Sequence, residues 1–582
     1  MLKLFRYLKN YKKESIIGPL FKLIEACFEL FVPLVMAGMI DTGIKNGDKG
    51  YIWRMGGLLV LLGVLGLACS LTAQFFAAKA AMGFGTELRR DLFRHINTLS
   101  HSEIDRVGSS TLVTRMTADI NTAQSGVNMI LRLLLRSPFI VLGSVIMAFT
   151  ISLRATLIFL LIAPCLAFVI YKIMSLTVPQ YKVIQKTLDR TNLLTSESLS
   201  GARVIRAFSR QENEDEEFRR NTEELTRLQL IAGRISALMN PLTYIIVNLA
   251  IVVLIKQGSG LVNTGSITQG ELIALINYMN QILLALLAMA ILVTNITKMQ
   301  ASAIRINDVF ELTPTVSDKA NRKVKTVPDA PAVEFSDVYF TYHPDHPEEE
   351  LSLEGISFRA NRGETVGIIG GTGSGKSTLI NLIPRFYDCS KGYVLVDGID
   401  VKKYTFDQLR SKIGIVPQRA VLFKGTIREN LKWRNADAGD EELIKALKIA
   451  QAYDFVMEKP EGLDEMLQQG GRNLSGGQRQ RLTIARAFVG DPEIVILDDS
   501  ASALDLATDA RLRKAIAEDT DGMTVFIVSQ RISSIKNADR ILVMDDGKIA
   551  GEGTHRELFA SCQVYREICL SQLSESEVSD LG

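Results

Sequence analysis

The first half of the chain is built from long apolar blocks. Six stretches have the roughly 20 mainly apolar residues that a bilayer-crossing helix needs: Ile16–Ile40, Met55–Ala78, Ile130–Ile151, Ala155–Leu176, Met239–Leu254 and Leu272–Ile296. The third and fourth are interrupted only at Ser152–Leu153–Arg154, which predicts a tight hairpin on the outer side. The connections near Lys45–Lys49, at Arg154 and at Gly258–Gln269 are short or poor in basic residues. Two others are long and basic, one with Arg89, Arg90, Arg94 and Arg115, the other with Lys182, Lys186, Arg190, Arg203, Arg206 and Arg210. Basic loops stay inside, so both termini and both long connections are expected to be cytoplasmic. Within these connections Phe93, Ile96, Leu99, Leu112, Val113 and Met116, and likewise Leu194, Leu199, Val204, Ile205 and Phe208, recur at helical spacing. That spacing predicts helices running well beyond the membrane and turning near Gly108–Thr111 and Gly201–Ala202. Residues 1–14 set Leu4, Phe5 and Leu8 against Lys3, Arg6, Lys9 and Lys12, the pattern of a helix lying on the inner leaflet.

Charges interrupt two spans. Glu25 and Glu29 share one helix face, as do Arg132 and Arg136. Intramembrane charges are costly and usually face a cavity or a partner, which suggests a polar patch on a translocation path with Glu25 or Glu29 paired to Arg136. The alternative is charges near a helix end snorkelling to the interface. Asn277, Asn280 and Gln281 fit either interhelical hydrogen bonds or a cavity lining.

After Lys298 the pattern changes. Residues 306–332 read as a linker, residues 333–570 alternate short β-rich runs with helices as an α/β domain does, and residues 571–582 form an acidic tail. The predicted fold is a polytopic α-helical membrane domain of six transmembrane helices (residues 15–305) fused to this α/β domain. The balance of the whole chain, 22% charged residues with net charge +2, argues against a nucleic-acid partner. The six cysteines have neither disulfide nor metal spacing and are expected to be reduced structural thiols.

The α/β domain carries the chemistry. The buried run Glu364–Ile369 leads into Gly370, Gly371, Thr372, Gly373, Ser374, Gly375, Lys376 and Ser377, and then a helix from Thr378 to Phe386. This is a P-loop in its required strand–loop–helix setting. Glycines let backbone N–H groups wrap phosphates at a helix N-terminus. Lys376 is placed to reach the β- and γ-phosphates, and Ser377 to ligate Mg²⁺. Asp498, closing the apolar run Ile494–Leu497, supplies the expected Mg²⁺-side carboxylate. Leu474, Ser475, Gly476, Gly477 and Gln478 open a second helix, Arg479–Phe488, as another phosphate-binding start. One nucleotide cannot use both if they lie on opposite sides, so two domains facing head-to-tail are expected.

With its P-loop, the Leu474–Gln478 signature and the Asp498 strand, the domain resembles the nucleotide-binding domain of ABC transporters. Six spans fused ahead of it resemble an ABC exporter half-transporter. The resemblance implies that Tyr342 is the A-loop aromatic stacking on adenine and that Gln418 is the Q-loop residue contacting Mg²⁺ and the membrane domain. It also implies that Ser502–Asp505, ending in Asp505, is the D-loop, and that the tips near Gly108–Thr117 and Ser200–Phe208 are coupling helices. Two positions depart from the family pattern. Asp499 stands where the family carries the Glu that acts as general base, followed by Ser500 where Pro is usual, and Gln530 stands where the family has His. An Asp carboxylate is one methylene shorter, and a Gln amide has no titratable proton. With every ATP-binding residue intact, this combination resembles the degenerate-site subunit of bacterial heterodimeric ABC exporters. The resemblance then implies ATP and Mg²⁺, a second half-transporter as partner, amphipathic drugs, lipids or peptides as cargo, and a plasma-membrane location. A homodimeric exporter of slow turnover, or an ATP-gated membrane regulator that transports nothing, are the competing readings. With no substrate-binding domain and the spans ahead of the ATPase, import is disfavoured.

Overall fold

The computed structural model describes residues 2–318, 327, 329–342, 351–501, 503–520 and 522–573. The chain divides into two compact units, one of residues 1–97 with 109–311 and one of residues 98–108 with 312–582.

Among the described residues of the first unit, six helical stretches are long and apolar enough to cross a membrane: Lys3–Ile44, Lys49–Ile96, Ser109–Ile151, Leu153–Ser200, Gln211–Asn263 and Gln269–Glu311. Each contains one predicted span and extends beyond it. The hairpin falls where the sequence places it: Ser152 takes an extended conformation, and its Oγ accepts a bond from the Ala155 N–H at the start of the next helix. Residues 2–11 are helical and run into the first span, with Leu4 and Tyr7 buried and Tyr7 edge-on to Phe84 at 6.4 Å. Small residues set how closely the first two spans approach. A Cβ on Gly18 would stand 3.2 Å from the Ala77 backbone nitrogen, the kind of contact that carries helix association where burial from water supplies no drive. At the far end of the first span Asp41 accepts from the Gly270 N–H at 2.9 Å and so caps the last helix.

Three of the four intramembrane charges are paired. Arg136 donates to both carboxylate oxygens of Glu29, at 2.7 and 2.8 Å. Of the two candidate partners it is therefore Glu29 that meets Arg136, while Glu25 is buried against Lys22 at 2.6 Å, a residue whose charge was overlooked in the apolar run. Gln281 donates to the Glu29 carbonyl at 3.1 Å, whereas Asn277 bonds back to its own helix and Asn280 is exposed. Among the described residues the buried Arg132 Nε has no hydrogen-bond partner.

The first tip turns at Gly108 as expected, but its helix lies before that turn rather than after it. An earlier turn lies at residues 97–100, followed by a separate short helix His101–Val107, and the chain reverses at Gly108 (φ 81°). Residues 109–114 already belong to the returning helix, so the stretch from Gly108 to Thr117 is not the tip helix. The cause is local: Ser100 and Glu103 form a reciprocal capping box that starts a helix one turn earlier. The second tip follows expectation, with Gly201 ending one helix and Ala202–Ala207 forming a short one.

The second unit contains two main sheets. One has six strands in the order Lys548–Gly553, Arg540–Asp545, Thr365–Gly370, Thr524–Val528, Ile494–Asp498 and Ile413–Val416, parallel except at the Lys548–Gly553 edge. The other is antiparallel, in the order Leu353–Ala360, Val333–Phe340, Lys391–Val396 and Ile399–Asp400. A core that includes Phe335, Phe358, Leu379 and Phe526 joins them. A second core around Leu447, Ile484, Phe488 and Val495 packs the helical part of the unit on the parallel sheet. The tip helix His101–Val107 belongs to this unit: Ser100 Oγ accepts from the Val316 N–H at 2.9 Å, and Glu103 accepts from the Thr315 N–H at 3.3 Å. The last span continues helically to Glu311, six residues into the stretch read as a linker, and linker residues 319–326 and 328 lie outside the described residues. The helix Gln563–Gln572 closes the described chain, and tail residues 574–582 also lie outside it.

Candidate functional site

Parallel pairing brings the chemistry to one edge. Ile368 pairs with Val528, and Val528 with Asp498, so three neighbouring strands end side by side. Ligands of open parallel sheets bind at such carboxyl ends. Gly370 closes its strand where a Cβ would lie 2.1 Å from the Met544 carbonyl oxygen, and Gly375 (φ 92°) turns the loop into the helix Lys376–Leu382. Only glycine fits either position. Gly371 and Gly373 have open space where a side chain would stand, which leaves the loop backbone accessible. Thr372 lies between them, and Ser374 is buried.

Lys376 is buried and donates to the Gly370 carbonyl at 3.0 Å, to Ser374 Oγ at 3.2 Å and to the Gly371 carbonyl. Burial lowers the pKa of its ammonium, against the opposing pull of Asp498 and Asp499. Ser377 Oγ donates to Asp498 Oδ1 at 3.1 Å. Burial raises the Asp498 pKa and the neighbouring Asp499 adds to it, while Ser377 and Lys376 oppose. This donor set fits Mg²⁺: two hard oxygens side by side, with a carboxylate whose charge is under-compensated. Mg²⁺ typically takes one or two protein oxygens beside substrate phosphates. Among the described residues there is no group of three or more His, Cys, Asp or Glu side chains that could hold a metal by itself.

Asp499 is half-buried, with φ 44° and its N–H donating to the Val528 carbonyl at 3.0 Å. Left-handed backbone is tolerated better by Asp than by longer side chains. Gln530 is exposed on the next loop. That loop is held from far along the chain: Gln572 donates to the Gln530 carbonyl at 2.8 Å and accepts from the Ile532 N–H at 2.9 Å. Gln418 follows the strand Ile413–Val416, whose Val416 pairs with Leu497, so it leaves the sheet at the same edge and is exposed.

The Tyr342 hydroxyl lies 3.1 Å from that of Thr378, on the helix that leaves the P-loop. Its ring is exposed and stands edge-on to Tyr387 at 5.3 Å and to Phe340 at 4.8 Å. Tyr387 was missed; an aromatic a few residues past a P-loop helix looks like core until its partners are seen. The structure thus gathers Tyr342, the loop 370–378, Asp498 and Asp499 around one edge.

The signature residues form a second cluster. Leu474 is buried as an anchor. Ser475 Oγ accepts from the Gln478 N–H at 3.2 Å, and Gln478 Oε1 accepts from the Ser475 N–H at 3.0 Å, a capping box opening the helix Gly476–Phe488. Gly476 faces open space, and a Cβ on Gly477 would stand 3.3 Å from the Ala503 carbonyl oxygen. Asp505 caps the helix Leu506–Asp519 by accepting from the Thr508 N–H at 2.9 Å, and these bonds lower its pKa. Ser502 lies outside the described residues.

A P-loop beside an Asp-terminated strand, a second glycine-rich helix start in the same unit and six apolar spans ahead of both define a membrane-bound ATPase of the transporter kind. The chain belongs to the ABC transporter family: residues 15–286 match the ABC transporter transmembrane region and residues 353–502 match the ABC transporter domain. It is 37% identical over its whole length, and over all of the relative, to the uncharacterized ABC transporter ATP-binding protein Rv1273c of Mycobacterium tuberculosis. It is 35% identical to the uncharacterized ABC transporter ATP-binding protein YfiB of Bacillus subtilis, covering 98% of each chain. An ATP-dependent lipid A-core flippase of Desulfotalea psychrophila is 34% identical over 81% of this chain and 82% of its own. The fold matches a bacterial Atm1-family ABC exporter solved with ATP bound, with a TM-score of 0.79, 23% identity and coverage of 97% and 99%. The protein is an ABC exporter half-transporter, a multi-pass membrane protein in which an ATP-hydrolysing domain drives transport.

Proposed function

We propose that this chain is one half of a heterodimeric exporter of amphipathic compounds, set in the plasma membrane with both termini and the ATPase unit on the cytoplasmic side. Its own P-loop site binds ATP and turns it over slowly, and its Leu474–Gln478 signature completes the partner's competent site. The observation that carries this reading is the contrast along one strand edge. Lys376, Ser377, Asp498 and Tyr342 keep every group needed to bind a nucleotide, while Asp499 and Gln530 replace the two groups needed to cleave it. Tyr342 stacks on the adenine, the N–H groups of residues 371–377 wrap the phosphates, and Lys376 reaches the β- and γ-oxygens. Ser377, Asp498 and Gln418 hold Mg²⁺, which when bound supplies charge neutralisation at the phosphates. Asp499 orients the attacking water from a carboxylate set about an ångström back, a displacement of the size that costs about 100-fold in rate. Cargo follows an inner path lined by the Glu29–Arg136 pair and Gln281, polar groups that suit the headgroup of an amphipath. The relatives named as lipid A-core flippases favour a lipid-like cargo.

One observation favours a homodimer of slow turnover instead. The left-handed backbone at position 499 by itself favours Asp over Glu, so the exchange need not mark a lost role. Purifying the full chain alone in lipid nanodiscs decides between them. The heterodimer reading expects monomers or unstable pairs with little ATPase activity, and a stable homodimer that turns ATP over, slowly or at the family's usual rate, ends it.

A further inference from the structure

Tyr387 does something that neither packing nor phosphate chemistry requires. Its ring is buried, yet its hydroxyl donates at 2.8 Å to Asp105 Oδ2, on the short helix His101–Val107 between the second and third spans. Burial and the adjacent carboxylate both raise the phenol's pKa, so it stays protonated and remains the donor. The same ring stands perpendicular to that of Tyr342, at 5.3 Å and 87°, and the Tyr342 hydroxyl lies 3.1 Å from that of Thr378. Asp105 is exposed, so its place is not set by its own burial. The helix that carries it is seated by His101 against Phe386 at 4.6 Å and by Ser100 and Glu103 on residues 315–316.

We infer that Tyr387 is a positioning residue that ties the angle of the Tyr342 ring to Asp105 on the tip helix, so that the base end of the nucleotide is coupled to the first long cytoplasmic connection. The inference rests on the reading of Tyr342 as the adenine-stacking residue. Edge-to-face geometry is directional, so a shift of Tyr387 changes the face that Tyr342 offers to a base. A hydroxyl held by a carboxylate is the stronger kind of hydrogen bond, which makes this the stiff link in the chain. The coupling is reciprocal by linkage: if the tip helix steadies the adenine platform, bound adenine must steady the tip helix. The phosphate end is seated by other contacts, through Lys376 and Ser377.

The test uses the full chain in nanodiscs, with ATP and inorganic tripolyphosphate as paired probes, since the second lacks the base. Tyr387→Phe keeps the ring and removes only the hydroxyl, and Asp105→Asn keeps the shape and removes the charge. Each is expected to weaken ATP binding by about fivefold, a modest coupling on the usual scale, and to leave tripolyphosphate binding unchanged. The double variant is expected to be no weaker than either single one. In the unmodified chain, ATP slows amide hydrogen exchange in residues 101–107 and tripolyphosphate does not; in Tyr387→Phe that difference disappears. Equal weakening of both probes, or additive losses in the double variant, would reduce Tyr387 to ordinary core and overturn the proposal. The underlying reading has its own control in Tyr342→Ala. If that variant keeps its preference for ATP over tripolyphosphate, the adenine assignment fails and the coupling with it. If it loses the preference while Tyr387→Phe and Asp105→Asn keep theirs, the coupling alone fails.

Discussion

Replacing Asp499 with Glu is the sharpest probe of the strand edge. The substitution adds one methylene and carries the carboxylate roughly 1.5 Å further from the backbone. Recovering a displacement of about an ångström at a reacting centre is worth up to about 100-fold in rate, or about 2.7 kcal/mol of barrier. Asp499 has φ 44°, and a longer side chain there costs on the order of 1 kcal/mol in backbone strain. That cost falls on the stability of the loop, because the strain is present whether or not the water is being attacked. The nucleotide contacts through Lys376, Ser377 and Tyr342 are untouched, so kcat is expected to rise while KM stays within about twofold. The assay is steady-state ATPase activity of the chain co-purified with its partner half-transporter, with the partner's own base carboxylate replaced by an amide so that only this site turns over. Adding Gln530→His should raise kcat further and not additively, because both groups address one transition state. Failure of both the single and the double variant to raise kcat would refute the assignment of Asp499 as the base position. A rise in kcat in the chain purified alone would show that two copies of this chain complete the site.

Three further outcomes follow from the geometry. Glu29→Ala or Arg136→Ala strands a charge in the membrane unit and should each lower stability in detergent by roughly 1–3 kcal/mol, whereas the double variant should lose less than the sum, read from thermal unfolding. Ser475→Ala removes the bond to the Gln478 N–H and should cost about 1 kcal/mol at that helix start, measured as faster local hydrogen exchange over residues 476–479. The Asp498 carboxyl is raised by burial, so the folded chain binds that proton more tightly than the unfolded chain does. Stability without nucleotide should therefore fall as pH rises from the ordinary aspartate value of about 3.9 through the raised one, and Asp498→Asn should flatten that slope in a pH series of thermal unfolding.

Elements whose cause is local and repetitive were legible from the sequence. The six spans, the break at Ser152, the short helix after Gly201 and the strand–loop–helix around Lys376 all follow from apolar length, a capping serine or glycine placement. At the first tip the reversal at Gly108 was legible, but the tip helix was expected after it and lies before it, because the capping pair Ser100 and Glu103 just upstream decides where the helix starts. The pairing of Arg136 with Glu29 rather than Glu25 depends on helix rotation, and Lys22 was hidden by the apolar residues around it. Tyr387 and Gln572 were not legible at all. Each acts on the candidate site through residues that are distant in the chain, and such pairings are fixed by topology rather than by local pattern.

The two bonds from Gln572 set an order of assembly. Gln530 and Gln572 are 42 residues apart in the chain, which at about 5–20 residues per second of synthesis is an interval of roughly 2–8 s. During that interval the P-loop and both aspartates have already been made, and the six spans were made long before, but the Gln530 loop, tied at Ser529 to the Ile368 carbonyl, still lacks the two bonds that Gln572 supplies. The Gln530 loop therefore gains its full set of bonds only once the helix Gln563–Gln572 has been made. A ribosome stalling between these two residues would leave a chain whose six spans are complete, with the Gln530 loop short of the two bonds from Gln572.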